Sequence, residues 1–151
     1  MCIEQVMFKN YSKVLIKEAK KALNYEEVPV SAIAVYEEKI IAKSYNKVEQ
    51  KKDKTAHAEI LLIQKLRKKF GTTHFFGLNI SVYVTLEPCC MCVSVLAMCG
   101  IQNVFYMLED EKFGGINKVF VNSAYFMPNF YLVYNEEYHK ILQNFFQSIR
   151  G

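Results

Sequence analysis

The 151-residue sequence has no run apolar enough to cross a bilayer. Its longest mostly apolar stretch, Met91 to Ile101, falls well short of the roughly 20 residues that a spanning helix needs. The opening Met1-Cys2-Ile3-Glu4 is not a basic segment leading into an apolar one, so it lacks the pattern of a secretory signal. A cytoplasmic protein with no membrane partner is expected. Proline (3) and glycine (6) are scarce, and no internal repeat, low-complexity tract or flexible linker interrupts the chain. A single domain over residues 1–151 is therefore expected, since roughly 100–200 residues make one domain. There is no acidic excess: Lys plus Arg number 19 against 15 for Asp plus Glu, a net charge of +4. This excludes an acidic tail protein, and an apolar content of 52% with 23% charged residues excludes a disordered one.

Arginine is nearly missing, because 17 of the 19 basic residues are Lys. With ten Asn and ten Tyr, this points to a base-composition bias of the genome, and lysine abundance alone says little about partners. The distribution says more. Residues 39–69 hold ten Lys or Arg against three acids (Glu49, Asp53, Glu59), a net of +7, which leaves −3 for the rest. Such a stretch is first of all a solvated face. Cysteines number five, and four of them cluster at 89, 90, 92 and 99. In a reducing compartment such a cluster points to a metal or to catalysis rather than to disulfides.

Periodicity predicts an amphipathic helix over residues 6–24, with Phe8, Tyr11, Leu15, Ala19 and Leu23 near helical spacing. Val28-Pro29-Val30 breaks it. Residues 30–36 read as a buried strand, Glu37-Glu38-Lys39 as a tight turn, and Ile40 to Ser44 as a second strand. Residues 45–54 read as a polar, basic loop. Thr55 is the expected cap of a helix reaching Phe70. A strand over Ile80 to Leu86 follows, and Pro88 suits the first position of a helix reaching Cys99. Val104 to Leu108 reads as a further strand, residues 119–134 as aromatic and irregular, and 136–149 as a closing amphipathic helix. Helices alternating with strands predict a layered α/β domain with a parallel portion.

The chemistry-bearing residues are His57-Ala58-Glu59 and Pro88-Cys89-Cys90-Met91-Cys92. One His and two Cys supply three good ligands for Zn²⁺, the number that a catalytic site uses while it keeps the fourth position open. Cys89 and Cys92 are three apart and share a helix face, in a first turn where the helix dipole favours thiolate. His57 is expected at the start of another helix, so two helix N-termini should converge on one metal. Cys90 faces away from the pair and Cys99 reads as core. His74 and His139 stand at no recognisable ligand spacing. Glu59 then fits a general acid–base, taking a proton from water and returning it to substrate and leaving group.

His-x-Glu followed by Pro-Cys-x-x-Cys is the signature of the zinc nucleobase deaminases. Over roughly Ala19 to Lys112, and more weakly through the C-terminal helix, the sequence resembles the bacterial tRNA-specific adenosine deaminases. The matching stretches are Glu27-Val28-Pro29-Val30, Asn46, Thr55-Ala56-His57-Ala58-Glu59-Ile60, Tyr83-Val84-Thr85-Leu86-Glu87-Pro88-Cys89-Cys90-Met91-Cys92, and Asp110 with Lys112. The resemblance implies an α/β fold, the three-layer α/β/α cytidine deaminase-like architecture with a central mixed sheet of about five strands. It implies one Zn²⁺ per subunit held by His57, Cys89 and Cys92, with Glu59 as the proton shuttle. It also implies a homodimer and a tRNA anticodon stem-loop as substrate, its wobble adenosine converted to inosine with release of ammonia.

A substrate pocket of Asn46, Val30, Ser31, Ala56, Pro88 and Asp110 follows from the same likeness, with Lys51, Lys52, Lys54, Lys112 and Phe145 as candidate RNA contacts. On the residues alone, Asn46 is a turn residue and Asp110 a solvated acid in Glu109-Asp110-Glu111; the resemblance moves the first to the purine and the second to the ribose or the loop beside it. Glu87 reads as a structural cap of the strand-to-helix corner. Some positions depart from the family pattern: Ser31 replaces a glycine, no Arg precedes Ile101, and Phe113-Gly114-Gly115-Ile116-Asn117-Lys118 is unusual. The alternatives are a deaminase of free guanine, cytosine or deoxycytidylate, and a non-catalytic RNA-binding subunit.

Overall fold

The computed structural model describes residues 3–119 and 126–150, with side chains from residue 10 onward; Cys2, the side chain of Phe8 and residues 120–125 of the aromatic segment lie outside. The chain runs α1 (Ile3–Ala22), a 3-10 turn (Leu23–Tyr25), β1 (Ser31–Tyr36), β2 (Lys39–Tyr45), α2 (Val48–Lys51), α3 (Ala58–Phe70), β3 (Ser81–Val84), α4 (Cys90–Met98), β4 (Asn103–Tyr106), β5 (Asn129–Leu132) and α5 (Glu136–Arg150). The five strands form one mixed sheet in the order β2-β1-β3-β4-β5. β1 pairs antiparallel with β2 and β3, and β3-β4-β5 are parallel. Among the described residues no helix is long and apolar enough to cross a membrane.

Alternation along the strands builds the layers. Ala32 and Ala34 of β1, with Val82 and Val84 of β3, face a cluster closed by Leu62 and Leu66 of α3 and Leu96 of α4. Their neighbours Ile33, Val35 and Tyr83 face the opposite cluster with Leu15 and Ala19 of α1 and Tyr138 of α5. A strand covered on both faces reads as a continuous apolar run, and that is how Ser-Ala-Ile-Ala-Val-Tyr reads.

Three sequence expectations shift. Asn129–Leu132 is a strand, not irregular chain. Four residues are too short to show a period, and the register comes from stacking: Tyr83, Phe105 and Tyr131 sit opposite one another on β3, β4 and β5, with ring centroids 4.6 and 5.0 Å apart. Such pairs contribute about 0.5–1.5 kcal/mol each beyond their burial. The polar stretch 45–54 contains α2, a single helical turn. The cap of α3 is not Thr55, whose hydroxyl donates to Asp53 Oδ1 at 2.7 Å.

Candidate metal centre and cleft

The third helix begins at Ala58, with His57 as its N-cap in extended backbone (φ −71°, ψ 152°) and no side-chain capping bond. An N-cap side chain normally accepts a backbone N–H from the first turn. Here Asn46, twelve residues earlier in the chain, supplies that acceptor: Ala58 N–H donates to Asn46 Oδ1 at 2.8 Å. The imidazole of His57 is left available for other use. The fourth helix starts in the same manner. Cys89 is its N-cap (φ −72°, ψ 173°), again without a side-chain capping bond. Pro88 therefore lies one residue before the cap rather than in the first helical position. Its carbonyl accepts Gly115 N–H at 2.8 Å, and a Cys89–Gly114 bridge keeps the chain extended one residue further.

The two N-termini bring three donors together. His57 Nδ1 lies 3.6 Å from Cys89 Sγ and 3.7 Å from Cys92 Sγ, and all three donor atoms lie within 4.8 Å of one another. A tetrahedral ion with bonds of about 2.3 Å to sulfur and about 2.0–2.1 Å to nitrogen sets its N and S ligands about 3.6 Å apart. The donor set and spacing thus fit a metal of that kind. Cys90 is exposed and Cys99 half-buried, and neither joins the group.

Electrostatics of the trio are those of a shared proton. A hydrogen bond from Cys92 holds Cys89 as thiolate, lowered to about 4, with burial opposing and His57 assisting. The reciprocal bond with Cys89, together with burial, pushes the Cys92 thiol up. Hydrogen bonding to Cys89 raises His57 above its ordinary value despite its burial. Glu59, two residues on, is 3% exposed, and desolvation raises its carboxyl.

His57, Glu59 and Cys89 line a cleft of about 1830 Å³. The centre lies beyond the carboxyl end of β3, where open α/β sheets place their ligands. Among the sequence-predicted site residues, His57, Glu59, Cys89, Val30, Asn46, Asp110, Lys52, Lys54, Lys112 and Phe145 line the cleft. Cys92 is fully buried behind it. Ser31, Ala56, Pro88 and Lys51 do not line it. Ser31 is buried: its hydroxyl donates to the Leu15 carbonyl at 2.6 Å, and its N–H donates to Thr85 Oγ1 at 3.1 Å. The serine found in place of glycine is thus taken up in packing α1 on β1. Asp110 shapes its own loop, with Oδ1 accepting the N–H groups of Lys112 (3.2 Å) and Phe113 (3.0 Å). Glu87 is the corner brace: its carboxylate accepts Asp110 N–H at 3.2 Å and Ile116 N–H at 3.3 Å.

Two features of the cleft were not legible in the sequence. Glu27 is 1% exposed, and its Oε1 accepts Gln50 N–H at 2.7 Å, tying α2 to the chain after α1. Its place in Glu27-Val28-Pro29-Val30 was the available signal, but burial of its carboxylate is a tertiary fact. The fifth helix forms a whole wall, through Ile141, Leu142, Phe145, Phe146 and Ile149, where the sequence singled out Phe145 alone. Tyr138 anchors that wall, its hydroxyl donating to the Pro29 carbonyl at 3.0 Å.

Comparison with known proteins agrees with this architecture. The family profile of MafB19-like deaminases matches residues 7–150. The tRNA-specific adenosine deaminase of Aquifex aeolicus is 44% identical over 110 residues, 73% of this chain and 72% of that one. That of Rickettsia bellii is 35% identical over 142 residues, 89% of this chain and 97% of that one. A solved structure from work on A-to-I editing by tRNA:A34 deaminases at the wobble position superposes with a TM-score of 0.75 at 29% identity, covering 83% of this chain and 98% of that one. Matched along nearly its whole length by the profile, and over most of the length of these relatives, the chain belongs to the deaminase family that includes the tRNA-specific adenosine deaminases.

Proposed function

We propose that this chain hydrolyses adenosine to inosine at the wobble position of tRNA, releasing ammonia. The observation that carries the reading is the buried Glu59 carboxyl beside the His57-Cys89-Cys92 donor group, in the lining of a cleft, in a member of this family. His57, Cys89 and Cys92 would hold one Zn²⁺. When bound, zinc lowers the pKa of a coordinated water toward neutrality and supplies the nucleophile for C6 of the purine. The chain's own residues do the rest. Glu59 accepts a proton and delivers it to ring N1 as C6 is attacked, then carries the second proton to the exocyclic amine as the C–N bond breaks. One water is consumed, its oxygen stays on C6, and ammonia leaves.

Asn46 is oriented for recognition: with Oδ1 fixed by Ala58 N–H, its amide NH₂ remains as a donor toward the purine. Val30 and Asp110 border the same space. Lys52, Lys54 and Lys112 would meet backbone phosphates, and Phe145 would meet a splayed base. The homodimer is part of this proposal. Phe76 and Met98 are large exposed apolar side chains beside the C-terminal end of α4, and sedimentation velocity measures whether a second copy covers them. A cytoplasmic location goes with a tRNA substrate and is part of the same proposal. Mass analysis of tRNA nucleosides before and after incubation with the zinc-loaded protein tests the activity. Inosine in an adenosine-bearing anticodon loop is the expected product. Deamination of free bases or nucleotides alone would move the chain to the small-molecule deaminases, and no turnover on either would leave a binding subunit.

A further inference from the structure

The second helix has two sides. Through Val48, Glu49 and Gln50, with Lys52 at its C-cap, it borders the catalytic cleft. Its other side opens on a separate pocket of about 170 Å³ between the end of β2 and α3. Lys47, Lys51, Lys65 and Lys68 converge there with Tyr45 and Gln64, and no carboxylate lines it. Among the described residues, none of these four lysines has an ion pair with an acid. Glu18, the acid that acts on Lys65 at a distance, is already paired with Lys21 at 2.8 Å.

The lysines are partly fixed. Lys65 Nζ donates to the Lys43 carbonyl, and Lys47 Nζ sits 4.9 Å from the Tyr45 ring centroid. Desolvation first, and then repulsion from Lys47, lowers the Lys65 ammonium below its ordinary value. Lys51, Lys65 and Lys68 are exposed, and like charges gathered around one pocket with no ion pair among the described residues gain from the arrival of an anion. Pockets for whole small molecules span roughly 300–1,000 Å³. This one is smaller and suits a single compact anionic group.

We propose that this pocket is a phosphate subsite for the substrate polynucleotide, holding a backbone phosphodiester of the strand that leaves the catalytic cleft over α2. The proposal rests on the reading of the substrate as RNA. It turns part of the basic stretch 39–69 from a solvated face into a track: Lys52 and Lys54 in the cleft, Lys47 and Lys51 on the far side of α2, Lys65 and Lys68 beyond. Each neutralised phosphate adds about 0.7–0.9 to the slope of log affinity against log salt.

The test is fluorescence anisotropy of the zinc-loaded protein across a salt series, with an anticodon stem-loop RNA carrying guanosine at the target position so that no turnover occurs. The double variant Lys65→Gln/Lys68→Gln should flatten the salt slope by about one and weaken low-salt affinity several-fold. The control pair Lys13→Gln/Lys17→Gln removes the same charge from exposed positions of α1, in the opposite helical layer, and should leave the slope unchanged. An unchanged slope in the pocket variant, or an equal loss in both, overturns the proposal. Protection of Lys65 and Lys68 from acetylation by the RNA supports it, whereas protection by inorganic phosphate with none by RNA overturns the polynucleotide assignment. Because this measurement is blind to turnover, failure of inosine formation with a lysine-dependent slope retained would sink the proposed activity and leave the subsite standing.

Discussion

Replacing Asn46 by alanine separates two jobs that one side chain performs. Asn46 is 9% exposed, and its Oδ1 accepts the N–H of Ala58, the first residue of α3. Truncation leaves that buried N–H without a partner, because the His57 side chain at the N-cap makes no capping bond. An unsatisfied buried donor costs about 1–3 kcal/mol. For a chain of this size each kcal/mol corresponds to roughly 2–4 °C in Tm, so Asn46→Ala should melt roughly 2–12 °C lower by differential scanning calorimetry. Asn46→Asp keeps the acceptor oxygen and places an anion at a helix N-terminus, which is favourable by about 0.3–1 kcal/mol before its burial is counted. It should recover at least half of the lost Tm. It does not restore the amide donor proposed to meet the purine, so both variants should lose roughly 10- to 100-fold in kcat/KM on the stem-loop, the effect of one hydrogen bond to substrate. An alanine variant that melts with the wild type, or an aspartate variant as unstable as alanine, would refute the capping argument. Wild-type kcat/KM in Asn46→Asp would refute the recognition role.

Five further outcomes are expected. Glu59→Ala should lower turnover by about 10²–10⁴-fold while metal content by elemental analysis stays at the wild-type level, because Glu59 is outside the three-donor group. Chelation, or Cys89→Ser, should abolish activity and lower Tm, with zinc restoring only the chelated wild type. Affinity for zinc should fall as pH is lowered, since the thiol and imidazolium protons must leave before the ligands can bind; competition with a chromophoric chelator at several pH values measures this. Gly115→Ala drives a new methyl group into the backbone of Cys89 and Cys90, so its metal affinity should drop while its far-UV circular dichroism remains that of the wild type. Tyr138→Phe leaves the Pro29 carbonyl without its donor and should cost about 1–3 kcal/mol in denaturant unfolding.

Whatever depends on residue type and short spacing can be read along the chain. His57, Glu59, Cys89 and Cys92 were legible because a metal site and its proton shuttle need particular side chains near two helix starts, and both starts show in the chain. The long elements were legible because apolar residues recur along them at the helical or strand period. Tertiary structure decided what depends on partners far apart in the chain. Asn46 caps a helix twelve residues away so that His57 need not; Glu27 braces α2; Ser31 turns to Leu15 rather than to the cleft; β5 finds its register by stacking on Phe105. The cysteine cluster therefore announced its chemistry at once, while the basic stretch 39–69 did not. Whether a lysine is solvated, lines a cleft or closes on a second pocket is set by which elements pack beside it, and a count of charges along the chain carries no record of that.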